Sequence, residues 1–85
     1  MATLVKIDGT QIIVHPKAGI GKSFTLEELQ GYVGGNIELI YPGNGVGVVN
    51  EEGLLMGLQP NVRASLVTGY DLVGDVLFCD NHEID

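Results

Sequence analysis

Cysteine occurs once in this chain, tryptophan not at all, and bases are scarce: Lys6, Lys17, Lys22 and Arg63 stand against eleven acids. The single Cys79 excludes an intramolecular disulfide. Cys79 and His82 have C-x-x-H spacing, but with only His15 left to join them they form no four-ligand structural zinc set. Nothing covalent and no metal staples the fold. A net charge of −7 leaves too little positive surface for direct binding of DNA or RNA, where phosphate neutralisation carries most of the affinity. No apolar run approaches the ~20 residues of a membrane helix, and no basic-then-apolar leader opens the chain, so neither a span nor a signal peptide is expected. A lone thiol without a targeting segment points to a reducing cytoplasm. Neither histidine lies near a strained serine turn, so no catalytic triad can be assembled. A non-enzymatic protein needing no cofactor is the expectation.

What is abundant is apolar: 45% of the 85 residues are hydrophobic. A domain this small buries only about two-thirds of its unfolded surface, so it depends on a dense core or on oligomerisation. A homo-oligomer is expected.

The stretch Phe24–Ile40, FTLEELQGYVGGNIELI, organises the rest. Thr25 and Glu28 have the spacing of a capping box, in which each side chain satisfies the other's free backbone N–H, and Phe24 before the cap can staple to Leu29. Leu26, Leu29 and Val33 recur at helical spacing. Gly34 and Gly35 end the helix, because glycine takes the left-handed C-cap conformation without steric cost. NIELIY then alternates like a strand.

Before this stretch, residues 3–15 read as a hairpin around Asp8-Gly9, the dipeptide of a tight type I′ turn. PKAGIGKS, residues 16–23, is a glycine-rich loop. After it, residues 36–41, 46–50 and 54–57 read as an antiparallel meander, broken by Pro42-Gly43-Asn44-Gly45 and by Glu51-Glu52-Gly53. Residues 61–67 suit a short helix entered through Pro60, and an irregular crossing suits them nearly as well. The last strand spans 70–79, with a bulge or close approach at Gly74. These elements make one α+β domain over 1–79, a largely antiparallel sheet of about six short strands with one packed helix, ordered ββ-α-βββ-(short α)-β. Residues 80–85 read as a frayed acidic tail.

Four motifs together resemble a known family. Val33-Gly34-Gly35 followed by Ile37-Glu38, the turn Asn50-Glu51-Glu52-Gly53, the segment from Gly57-Leu58 through Asn61 to Ala64, and Val73-Gly74-Asp75-Val76 look like small phage and mobile-element proteins grouped only as a domain of unknown function. The likeness spans roughly residues 24–78. It departs at the Gly-Lys loop and at Gln59, where members often carry proline. It implies a phage or plasmid gene acting in a host bacterial cytoplasm, and it brings no activity with it.

The candidate sites are few. Gly19-Ile20-Gly21-Lys22-Ser23 imitates a P-loop, but Pro16 stands where the first glycine belongs, and an antiparallel hairpin cannot supply the parallel strand. Phosphate contact by Lys22 and Ser23 at the helix N-terminus is the less demanding reading. Solvated lysines in a flexible loop are the plainer one. Asn50, Asn61 and Arg63 can line a polar pocket if residues 58–64 fold over the 50–53 turn; alternatively Asn50 is turn chemistry and Asn61 a helix cap. Tyr70 can stack a base or border the core. Two functions follow. In the first, an oligomeric sponge holds a phosphate-bearing, nucleotide-derived signal of host immunity on Lys22, Ser23, Asn50, Asn61, Arg63 and Tyr70. In the second, an acidic inhibitor engages a host protein, by nucleic-acid mimicry if Glu51, Glu52, Asp71, Asp75, Asp80, Glu83 and Asp85 share one face.

Overall fold

A computed structural model describes residues 1–84. Strands β1 (Ala2–Val5) and β2 (Gln11–Val14) form the first hairpin, followed by helix α1 (Leu26–Val33) and the hairpin β3 (Ile37–Ile40) and β4 (Val46–Asn50). Helix α2 (Val62–Thr68), strand β5 (Val76–Cys79) and a 3₁₀ turn (Asn81–Glu83) complete the chain. The strands make one five-stranded sheet in the order β2-β1-β5-β4-β3, every neighbouring pair antiparallel. This is the α+β class that the sequence implies.

Strand alternation sorts the side chains onto two faces. Ala2, Leu4, Val46, Val48, Leu77 and Cys79 point to one side and pack with Phe24, Leu29 and Val33. Val5, Val49 and Val76 point to the other and meet Ala64 of α2 and Leu72. The two sides are not equally covered. The α1 side adds Val14, Tyr32, Ile37, Leu39 and Ile84 to its cluster, whereas the α2 side adds only Ile40 and Phe78.

The helix α1 is built as its sequence requires. The Thr25 hydroxyl accepts from the Glu28 N–H at 3.1 Å, and the Glu28 carboxylate accepts from the Thr25 N–H at 3.0 Å. Phe24 stands edge-on to Tyr32 with ring centroids 6.0 Å apart, and Gly34 closes the helix at φ 79°.

Four expectations are corrected and one alternative is decided. The third meander strand at 54–57 is a run of turns: Met56 N–H reaches the Glu52 carbonyl, and β5 already occupies the free side of β4. Hence five strands form among the described residues, not six. The last strand shrinks to Val76–Cys79 because Gly74 turns the chain at φ 77° and donates to the Gln59 carbonyl. Of the two readings of residues 61–67, the short helix is the one that forms, as α2, capped by Asn61 and stopped by Gly69. The first hairpin has no type I′ turn, since Gly9 has positive φ and Asp8 does not. Finally, residues 80–84 pack rather than fray. Phe24 donates its N–H to the Glu83 carbonyl, and Glu83 is buried while accepting from the Asp80 N–H and the Met1 ammonium group.

Candidate functional site

The sequence-nominated residues fall in separate places. Lys22 lies exposed in the loop before α1, its N–H tied to the Gly19 carbonyl at 3.1 Å. Ser23 donates its hydroxyl to the His82 carbonyl at 3.2 Å, joining the loop to the C-terminal 3₁₀ turn. The positive end of α1, where an anion would sit, already holds a carboxylate of the chain. Glu28 accepts from the Thr25 N–H and, at 2.9 Å, from the Lys17 N–H, and these hydrogen bonds hold its carboxyl below the usual carboxylate range. A hollow of about 630 Å³ opens beside this helix, and its charged lining is Lys17 with Glu27 and Glu28.

Asn61 is wholly buried and fully engaged. Its amide nitrogen donates to the Val5 and Gly74 carbonyls, both at 2.9 Å, and its oxygen accepts from the Ala64 N–H at 3.1 Å. It thus serves as the N-cap of α2 and a tie between β1 and the turn at Gly74. Asn50 is also buried. It donates to the Val33 carbonyl at 3.1 Å and accepts from the Glu52 N–H at 2.8 Å, binding the end of α1 to the 51–57 turns. The turn-and-cap alternative describes the hydrogen bonds of both residues.

Although the Asn50 amide itself is turned to α1, Asn50 and Tyr70 both border a groove of about 510 Å³ on the α2 side of the sheet. Its apolar lining comes from Ile40 and Val49 on the sheet, Leu54 and Leu55 on the turns, and Leu72 and Val73 beyond α2. Its charged lining is Glu38, Glu51 and Asp71, with no base. Leu54 and Leu55 are 80% and 88% exposed, so the groove keeps an open apolar wall. Sequence reading missed these leucines as site residues by placing them in a strand. The signal was available: Leu54-Leu55-Met56 between Gly53 and Gly57 does not alternate, as a half-buried strand must.

Arg63 stands outside this groove, on the outer stripe of α2 with Val62, Leu66 and Val67. These four residues line a second hollow of about 440 Å³ together with Ile7, Asp8 and Gly9. Among the described residues, Arg63 makes no ion pair within 4.0 Å.

The acids proposed as one contact face do not form a single row. Glu51 and Asp71 line the groove. Asp75 accepts from the Ile7 N–H, and Asp80 and Glu83 both pair with the Met1 ammonium group. Asp85 lies outside the described residues. Cys79 is buried, and that burial, with Glu83 and Asp80 nearby, pushes its thiol up to about 11.

No helix among the described residues is long and apolar enough to cross a membrane. A family model matches residues 4–85, and its description reads "Domain of unknown function (DUF3846)". No curated protein and no solved structure matches the chain.

Proposed function

We propose that the chain, which belongs to the DUF3846 family, is a non-enzymatic protein-binding module that seats a basic, leucine-bearing segment of a partner protein in the groove beside α2. The observation that carries this reading is the groove's composition: open apolar walls at Leu54 and Leu55 under three carboxylates, without a base. Exposed apolar surface rimmed by polar groups marks interaction sites, and a rim of one sign selects a partner of the other. Nucleic-acid mimicry draws less support, because the acids are dispersed over several elements. With the phage or mobile-element context of the family resemblance, the partner would be a host protein and the setting the host cytoplasm.

The sequestration of a nucleotide-derived signal is favoured by one observation, that Asn50 and Tyr70 border the same groove. It lacks a base there to hold phosphate.

The two readings separate by experiment. A fluorescent helical peptide with leucines at i and i+4 flanked by arginines should bind the full chain, and the affinity should fall with salt. Leu55→Asp and Glu51→Lys should each weaken it about tenfold or more. Lys22→Ala with Ser23→Ala should leave it unchanged. If only nucleotides stabilise the protein, and the double alanine variant abolishes that, sequestration replaces the docking reading.

A further inference from the structure

The outer stripe of α2 has the chemistry that the groove selects. Val62 and Leu66 are spaced i, i+4, as are Arg63 and Val67, so all four residues share one side of the helix. Leu66 and Val67 are 80% and 72% exposed, and among the described residues Arg63 beside them makes no ion pair within 4.0 Å, not even with Asp8 of the same hollow. The groove, bordered on one side by residues 70–73 that follow α2, supplies the complement: Leu54 and Leu55 for the apolar side chains, and Glu38, Glu51 and Asp71 for the guanidinium.

We infer that the free protein is a two-fold dimer in which α2 of each copy lies in the groove of the other. A two-fold interface is self-complementary, residue i of one copy meeting j of the second while j meets i. A surface that carries both a stripe and its matching groove on the same face meets that requirement. Charge argues for this face in particular. At a net charge of −7 most contacts between copies would set acid against acid, whereas here each lone arginine meets three carboxylates. The inference rests on the proposed reading of the groove and adds its resting occupant: a partner protein must displace the second copy's α2, so dimer dissociation precedes binding.

Sedimentation velocity and native mass spectrometry of the full chain test this. The wild type should be a dimer at micromolar concentration. Arg63→Glu and Asp71→Arg should each raise the dimer dissociation constant roughly 100-fold, because each substitution sets like charges together twice per dimer. An equimolar mixture of the two variants should restore dimers, as heterodimers, since both reciprocal contacts again pair opposite charges. Both positions are exposed, and circular dichroism should report unchanged folds. A monomeric wild type, a variant that dimerises like wild type, or a mixture that stays monomeric overturns the inference. A monomeric wild type that still binds the arginine–leucine peptide leaves the docking reading standing. One that fails to bind removes both.

Discussion

Asn61 shows how much of this fold hangs on single buried polar groups. Its three hydrogen bonds join β1, α2 and the Gly74 turn, and none is accessible to water. Asn61→Ala would leave two carbonyls and one N–H without partners. Equilibrium urea unfolding should show a loss of ~3 kcal/mol or more, a large share of the stability of a small domain. Cys79 yields a second expectation at this scale. A thiol raised to about 11 by burial stays protonated at neutral pH, so alkylation by iodoacetamide should be slow in the native chain and fast in urea. The same shift has a stability sign. A folded value above the ordinary 9.0 stabilises the native state fully below pH 9, and that contribution is lost as pH rises through about 11. Cys79→Ser should flatten the alkaline limb of the stability curve. Sequence reading found both asparagines and gave each a turn or cap alternative from residue type alone. What it could not weigh was burial: a pocket asparagine and a capping asparagine are the same letter until the surrounding chain is in place.

At the scale of elements, α1 was legible almost to the atom because its signals are local. The capping box spans Thr25 to Glu28 and the stop falls on Gly34, all within one stretch of chain. Thr25→Ala should cost about 1 kcal/mol in thermal or urea unfolding, the usual loss for a removed N-cap side chain. Glu28 adds a pH dependence. Its folded value lies below the ordinary 4.5, so its contribution is present above that pH and lost as pH falls through the lowered folded value. Acid titration of Glu28→Gln should therefore show a shallower loss of stability than wild type below about pH 4.5. The segment 51–57 was misread for the opposite reason. A third meander strand needs a free edge on β4, and β5 arrives from far along the chain to take it. Gly74 lies between these cases. A bulge or close approach was legible from a glycine in an apolar run, and the structure places a would-be Cβ there 2.8 Å from the Leu58 side chain. Gly74→Ala should consequently destabilise well beyond the ~1 kcal/mol typical of an unstrained glycine substitution, measured by the same unfolding series.

At the scale of the whole molecule, the sheet has one well-covered face and one thinly covered face. The first is sealed by α1 and the C-terminal residues through Ile84. The second carries the seven-residue α2, whose Ala64 packs with Val5, Val49 and Val76 of β1, β4 and β5, with exposed Leu66 and Val67 and an open groove beside it. An 85-residue chain with 45% hydrophobic residues has more apolar surface than its own fold covers, and that excess is what composition foretold. Where the excess lies was beyond sequence: the broken alternation at Leu54-Leu55 argues against a strand and the i, i+4 spacing of Val62 and Leu66 fits a helix, but neither marks its residues as left outside the core. The proposed reciprocal dimer would cover this thin face with a second copy, and the charge-swapped mixture is its decisive measurement.

The sequence by itself determined the α+β class, the antiparallel hairpins, the two ends of α1 and the acidic, apolar character of the surface. These depend on contacts within a few residues or on composition, and both can be read from the chain alone. Tertiary structure decided which acids face an apolar groove and which asparagines are buried ties. Each of those depends on segments up to 56 residues apart, such as Val5 and Asn61, coming into hydrogen-bond range. The physical reason is that a polar side chain's role follows from whether its neighbours leave it in water, and for this chain the neighbours are set by the strand order β2-β1-β5-β4-β3.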